Sequence, residues 1–256
     1  MRAQVVALAL VVVGCGGDDG GGAATGGGGG SSSGGTSGGG SGGGGGGSPG
    51  SGGASSCGQA SHSGDGTYYD ANGDGNCMFG PSPNDLMVGA MNHSDYADSA
   101  ACGACAAIQG PSGSVTVRIV DQCPECQPGD IDLSPQAFEK IAALSLGRVD
   151  ITWSYVACAV SGPIRYRFKE GSNEWWTAVQ VRNHRHAIAK LEVDKGGSFV
   201  EVKRESYNYF VDAAGMGPGP YTFRVTDVMG HVLTDTGIAH AEASEVAGAA
   251  QLPDCP

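Results

Sequence analysis

Positive charge, aromatic rings and long apolar runs are all scarce in this sequence. Lys and Arg number 14 against 26 Asp and Glu, for a formal net charge of −12. Between Cys57 and Val160 only three basic residues (Arg118, Lys140, Arg148) face twelve acidic ones. No basic stripe is available to neutralise phosphates, which excludes nucleic acid as a partner, and this half of the chain repels polyanionic ligands. From Pro163 to Gln251 the balance is nearly even, ten basic against eleven acidic. The longest apolar run, Val5 to Val13, is too short to span a bilayer. No nucleophile elbow, phosphate loop or Cys/His catalytic pair is present. Phe, Trp and Tyr make up only 7% of the chain, yet Trp175 and Trp176 stand side by side in NEWWTAVQVRNH (Asn173 to His184), a segment that alternates like a strand.

Glycine is abundant instead, 47 of 256 residues. More than half of it precedes Cys57, in a Gly/Ser/Thr stretch with almost nothing apolar to bury. Residues 16–56 therefore read as a disordered linker with a root-mean-square reach of roughly 35 Å. Ahead of it, residues 1–15 carry one positive charge at Arg2, the apolar run, then Gly14 and Cys15, the organisation of an export signal. The ending Val12-Val13-Gly14-Cys15 resembles the lipobox of bacterial lipoproteins, which implies cleavage before Cys15, a diacylglycerol on its sulfur, and anchoring of the exported chain to a membrane. About 200 residues remain to fold, expected as two small domains at 57–161 and 162–251 with a C-terminal tail at 252–256.

Eight cysteines follow Cys15: Cys57, Cys77, Cys102, Cys105, Cys123, Cys126, Cys158 and Cys255. Cys102/Cys105 and Cys123/Cys126 form Cys-x-x-Cys units, a spacing that also fits a four-thiolate zinc site. An exported chain folds where disulfides persist, and the zinc reading strands the other four, so four disulfides are expected. Their connectivity stays open, since eight cysteines allow 105 pairings.

Short strands bounded by Gly, Pro, Asn and Asp dominate the folded part: residues 66–70, 85–91, 113–123 and 148–158 in the first half. One helix is expected there, capped by Ser134, with Pro135 in its first turn, running through Leu144 to Gly147. Ser161-Gly162-Pro163 marks a joint. Beyond it, residues 164–172, 175–184, 188–197, 198–205, 220–230 and 231–238 repeat as short alternating strands with hairpin turns and no long helix, the pattern of an antiparallel sandwich. Asp70-Ala71-Asn72-Gly73-Asp74-Gly75 begins like a calcium loop, but Pro81 stands where the bidentate Glu belongs. His184 and His186 alternate on one strand face, yet nothing in the sequence supplies further ligands, so no metal and no cofactor is expected.

Several motifs agree in order and spacing with one family. Thr67-Tyr68-Tyr69, Val120-Asp121-Gln122-Cys123-Pro124, Asp130-Ile131-Asp132-Leu133-Ser134-Pro135-Gln136-Ala137-Phe138, Lys169-Glu170-Gly171-Ser172 ahead of Trp175-Trp176, Val181-Arg182-Asn183-His184 and Tyr207-Asn208-Tyr209-Phe210 together resemble a two-domain bacterial expansin. The resemblance implies a mainly β chain: a six-stranded double-psi β-barrel, related to family 45 glycoside hydrolases, followed by an immunoglobulin-like β-sandwich that is a family 63 carbohydrate-binding module. It implies loosening of plant-type cell walls by disturbing noncovalent contacts among cellulose and matrix glucans, without hydrolysis, by a monomer at the cell surface or secreted. Thr67, Asp121 and Asp132 fall on the family's polar groove, with Asp132 at its indispensable carboxylate. Trp175, Trp176 and Tyr207 fall on its cellulose-binding aromatic platform. Some bacterial members have a groove Tyr where this chain has Cys123, so that contact does not carry over.

Adjacent side chains on a regular strand point to opposite faces. For Trp175 and Trp176 to serve one surface, stacking on the apolar faces of glucose rings, the backbone must twist or bulge there. In the groove, inverting hydrolysis needs an acid and a separate base about 6.5 to 9.5 Å apart. Asp132 is the acid-like group, its pKa raised by a nearby Asp121. Asp70 is the candidate base, but it stands one residue early relative to the related hydrolases, and on a strand that offset turns it to the other face. The alternatives are therefore an endoglucanase using Asp132 and Asp70, a peptidoglycan lytic enzyme, and a cellulose adhesin whose barrel is a spacer.

Overall fold

The computed structural model describes residues 57–255; Cys15 and the Gly/Ser stretch lie outside the described residues. In the first half the strands are β1 (His62–Tyr68), β2 (Val88–Asn92), β3 (Cys105–Gly110), β4 (Gly113–Cys123), β5 (Ile131–Leu133) and β6 (Val149–Val156). They close on themselves in the order β1-β5-β2-β4-β3-β6, with β1 also paired to β6. The β1/β5 and β2/β4 pairs are parallel and the others antiparallel. Parallel neighbours need crossover connections, and two such crossings within one closed six-stranded sheet give the double-psi barrel.

Alternation explains the closure. On β4, Val117 and Ile119 are buried, and with Met91, Ile108, Ile131, Leu133 and Ile151 they fill the barrel. The third tryptophan, Trp153, belongs to this core: it stacks on His62 with ring centroids 4.0 Å apart, and its Nε1 donates to the Gly129 carbonyl at 2.8 Å.

Two short helices accompany the barrel, α1 (His93–Tyr96) and α2 (Pro135–Phe138). Ser134 does cap α2, its Oγ accepting from Ala137 N at 3.0 Å. The helix stops at Phe138 rather than running on to Leu144. Lys140 N and Ile141 N bond three residues back, and the Ile141 carbonyl is taken by Ser112 N at 2.9 Å. That tertiary bond removes the acceptor on which a longer helix depends, while Phe138, Ile141 and Ala142 plug the end of the barrel.

The second half contains β7 (Arg165–Phe168), β8 (Thr177–Arg182), β9 (Ile188–Asp194), β10 (Phe199–Arg204), β11 (Phe210–Asp212), β12 (Tyr221–Asp227), β13 (Val232–Ile238) and β14 (Glu245–Ala247). All pairings are antiparallel, in the order β13-β12-β9-β10-β11-β8-β7-β14. β10 turns the corner, pairing with β9 through Phe199–Val202 and with β11 through Lys203–Arg204. The ribbon thus folds into two facing layers. Tyr166 of β7 stacks on Phe223 of β12 at 5.0 Å and donates its hydroxyl to Asp235 Oδ2 at 2.9 Å. Leu252, past the expected end of the module, is fully buried in this core.

The bridges are Cys57–Cys255, Cys77–Cys102, Cys105–Cys158 and Cys123–Cys126. The zinc alternative fails because Cys102 and Cys105 part into two different bridges. Cys105–Cys158 closes a sequence separation of 53, and a double Cys105→Ala/Cys158→Ala variant should lose about 3–4 kcal/mol, read as a shift of the urea midpoint at unchanged slope.

Barrel and sandwich belong to one compact unit. Their joint is polar and close. Gln180 Nε2 and Asn208 Nδ2 both donate to the Cys77 carbonyl, at 2.8 and 3.1 Å, and Ser99 Oγ donates to the Glu205 carbonyl at 2.8 Å. His184 packs over Gly103, where a Cβ would lie 2.6 Å from its Nε2. Burial lowers its pKa to about 4, so the imidazole sits in the joint uncharged at neutral pH.

Candidate functional site

Strand register assembles the polar groove. Thr67 on β1 pairs with Asp132 on β5, Asp132 with Ala90 on β2, and Ala90 with Asp121 on β4. Partners directly opposite one another share a sheet face, so Thr67, Asp132 and Asp121 form one row with the small Ala90 as its floor. An irregularity between Gly89 and Ala90 sets the last step, bringing Asp121 rather than Val120 opposite Ala90. The three groove residues expected from the sequence are thus brought together.

Thr67 Oγ1 donates to Asp132 Oδ1 at 2.6 Å. Burial is the main cause that raises the Asp132 pKa; the Thr67 hydrogen bond opposes it, and the Glu125 carboxylate adds more than Asp121 does. The expected like-charge effect of Asp121 is therefore the smallest of these causes. Glu125 acts from the short loop closed by the Cys123–Cys126 bridge. The helix cap is Ser134, which leaves Asp132 free of that structural role.

Tyr69 is the groove residue that the sequence reading missed. It shares the parity of Thr67, and its N donates to the Leu133 carbonyl at 2.9 Å, prolonging the β1/β5 pairing by one residue. Its hydroxyl oxygen is buried with no hydrogen-bond partner among the described residues. Burial and the Asp121 and Asp132 carboxylates push its pKa far up. It is a neutral donor held between two carboxylates. The two-residue period of β1 was the signal that could have found it.

Asp121 is differently occupied. Its Oδ1 accepts from Asn76 N at 2.7 Å and Gln122 N at 2.8 Å. Gly75 lies against it, and a Cβ there would stand 2.4 Å from the Asp121 Cγ. Gly75→Ala should therefore displace the Asp121 carboxylate and lower the activity of the groove several-fold, measured against the parent chain. Asp70 is exposed, one residue beyond Tyr69 and of opposite parity. Asp74 is exposed as well, its Oδ1 accepting from Gly75 N at 3.0 Å.

The tryptophan pair does not sit on a strand. It occupies a tight turn, Asn173 to Trp176, immediately before β8, closed by a bridge in which Asn173 N donates to the Trp176 carbonyl at 2.8 Å. Asn173 Oδ1 accepts from Trp175 N at 2.9 Å and Trp176 N at 3.2 Å, the Asx-turn bond that competes with strand formation. Gly217 N donates to the Glu174 carbonyl at 3.1 Å and clamps the turn from outside. The face-alternation rule therefore does not apply to the pair, and no strand bulge is needed. Trp175 is 73% exposed, the most exposed large apolar side chain among the described residues. Trp176, half-buried, leads into β8 in the parity of Ala178 and Gln180, opposite to the core residues Val179 and Val181.

Tyr207 precedes β11, which pairs with β8, the strand that follows the tryptophan turn. Tyr207 is half-buried, and its ring lies 6.1 Å from that of the buried Tyr209. Lys169 Nζ stands 5.9 Å over the Tyr209 ring. The loop carrying Tyr207 is tied to the groove: Asn76 Nδ2 donates to the Ser206 carbonyl at 2.9 Å while Asn76 N holds Asp121. Tyr96 Oη also donates to that carbonyl, at 3.1 Å.

The chain has known relatives. Residues 88–153 match a family described as lytic transglycolase. Over 180 residues the chain is 37% identical to Expansin-YoaJ of Bacillus subtilis, an alignment covering 68% of this chain and 77% of that one. The chain belongs to the expansin family. The crystal structure of the apo expansin of Clavibacter michiganensis superposes on this expansin with a TM-score of 0.71 and 31% identity, over 75% of this chain and 98% of that one. A mutant of the Clavibacter protein, solved in complex with cellohexaose, matches with the same TM-score and coverage at 30% identity. In this expansin the position of the groove Tyr known from some relatives is Cys123, bonded to Cys126, so the bridged loop bearing Glu125 stands beside the groove instead.

Proposed function

We propose that this expansin binds cellulose and associated matrix glucans through Trp175, Trp176 and Tyr207. In this reading it loosens plant-type walls at the groove formed by Thr67, Asp121 and Asp132, by disrupting noncovalent contacts without cleaving bonds. The observation that carries this reading is the state of the groove carboxylates. Asp132 has a hydroxyl partner and a raised pKa, as an acid needs, but neither candidate base is placed opposite it. Asp121 belongs to the same row of the same sheet face as Asp132, and Asp70 lies exposed on the other parity. Inverting hydrolysis needs both groups acting on opposite sides of the sugar. Asp132 and Thr67 can instead exchange hydrogen bonds with glucan hydroxyls that otherwise bind neighbouring chains. Because Asn76 joins the Asp121 loop to the Tyr207 loop, a glucan held on the aromatic layer is presented to the groove in a fixed relation.

The acidic barrel disfavours acidic wall polymers as ligands. The protein is exported and acts as a monomer, tethered through a lipid on Cys15 or released; the mass of the mature N-terminus distinguishes these fates. The deciding measurement is release of soluble reducing ends from swollen cellulose at saturating protein, alongside creep of wall strips under load. Tight binding and creep without sustained release support the proposal, and sustained release overturns it. The lytic transglycolase match in the barrel favours one further control, incubation with peptidoglycan, from which no soluble fragments are expected.

A further inference from the structure

The loop between β8 and β9 and the hairpin between β12 and β13 bring together donors that neither the groove nor the aromatic layer uses. His186 is 5% exposed, and its Nε2 is buried with no hydrogen-bond partner among the described residues. An unpaired imidazole nitrogen out of reach of water is unfavourable in an otherwise satisfied joint. Facing it, Asp227 is 1% exposed and closes the hairpin: its Oδ1 accepts from Met229 N and His231 N, both at 2.9 Å. Its other oxygen, Oδ2, stands 2.9 Å from His231 Nδ1. One ligand atom from each of His186, Asp227 and His231 lies within 4.8 Å of the others.

We propose that His186, Asp227 and His231 form a binding site for a divalent first-row transition ion, with zinc as its probe. Two imidazoles and one carboxylate suit zinc and its neighbours, whereas calcium and magnesium prefer all-oxygen shells. Asp227 is already positioned as a ligand, since backbone amides hold one oxygen and the other faces His231 Nδ1. Ligand atoms around a tetrahedral ion lie roughly 3.3 Å apart, so the cluster contracts by about 1.5 Å at most. His186 also borders a cavity of about 230 Å³ lined by Asp95, Tyr155 and Met229, beside the three donors. The sequence pattern pointed to His184 as the partner of His186. His184 Nδ1 is instead committed to the His186 carbonyl at 2.8 Å, and the further ligands come from a hairpin distant in sequence.

The site is a clasp rather than a reaction centre. The loop bearing His186 touches the barrel through the Arg185 carbonyl, which accepts from Cys158 N at 2.8 Å. It touches the hairpin through the Ala187 carbonyl, which accepts from Val228 N at 2.9 Å. An ion shared by His186, Asp227 and His231 fastens the hairpin to the loop that carries the joint.

The test uses the full chain, stripped with a chelator and titrated with zinc by calorimetry, with cobalt absorption as a second readout. The expected result is one saturable site, visible cobalt bands of low coordination number, and a melting temperature that climbs with the logarithm of zinc concentration. Affinity should fall as the solution is acidified, because protons compete with zinc for its ligands. His186→Gln and His231→Asn should each weaken zinc by about 100-fold or more, while His93→Gln, which alters an exposed histidine, should change nothing. Should His186→Gln destabilise the joint, His231→Asn on the hairpin gives an independent answer. Absence of saturable binding to the parent chain, or equal affinity in the parent, His186→Gln and His231→Asn, overturns the proposal. None of these readouts depends on wall activity.

Discussion

Asp132→Asn should eliminate wall loosening, leave cellulose binding untouched, and make the protein more stable at neutral pH. The loss follows from chemistry in the groove. The substitution keeps an oxygen to accept from Thr67 Oγ1 but removes the charge. A hydrogen bond to a charged group contributes about 1.5–3 kcal/mol against about 1 for a neutral one. If the carboxylate competes with neighbouring chains for glucan hydroxyls, creep should drop at least about tenfold. The gain in stability follows from burial. The folded-state pKa of Asp132 lies above its unfolded value of 3.8, so the folded protein holds the proton more tightly and the ionised carboxylate is a liability at pH 7. Stability of the parent should therefore improve as pH falls through the folded pKa and level off below the unfolded one. The variant carries no such charge. Its melting temperature should exceed that of the parent by about 1–3 °C at pH 7, and the difference should vanish near pH 3.5. Equal melting temperatures across that range would mean that the carboxylate is solvated and the groove is not strained by it. Creep at the parent level would remove Asp132 from the mechanism.

What the residues alone could reveal differs sharply between elements. β4, with eleven residues and a clean alternation, was legible in the sequence at its true bounds. β5 has three residues, too few for any period, although it carries Asp132; only the resemblance to expansins pointed to it. Pairing Thr67 with Asp132 depends on a parallel register between segments far apart in sequence, which no local pattern encodes. The helix after Ser134 shows the same limit, since Ser112 intercepts its carbonyl from another part of the barrel. The tryptophan turn was readable in part: Asn173, two residues before Trp175, is the side chain that an Asx turn requires, but the alternation of the following residues drew the doublet into the strand. The histidines misled for a related reason. Alternation paired His186 with His184, whereas the structure pairs it with Asp227 and His231, brought close by the β9/β12 ladder.

The second large effect belongs to the aromatic layer. Trp175→Ala should weaken cellulose binding by about 10- to 30-fold, and Trp175→Ala/Trp176→Ala by about 100-fold or more. An aromatic face laid on a sugar removes apolar area from water at about 25 cal/mol per Å² and gains further from ring stacking. Together these give about 1.5–2 kcal/mol per ring, and each 1.4 kcal/mol is tenfold in affinity. Because Trp175 is 73% exposed, its loss should move the melting temperature by less than about 1 °C. Trp176 is half-buried, and its replacement should cost some stability as well. Asn173→Ala sharpens the test. Asn173 touches the turn from within, holding both tryptophan amides through one oxygen, so its loss should loosen the pair and weaken binding by about threefold to tenfold with both rings intact. Depletion of soluble protein by microcrystalline cellulose measures all three. Creep should fall in parallel with binding in these variants and separately from it in Asp132→Asn. That double dissociation would distinguish a wall-loosening protein, whose groove and aromatic layer do different jobs, from an adhesin whose barrel is only a spacer. Unchanged affinity in the double tryptophan variant would move the cellulose-binding surface elsewhere on the protein.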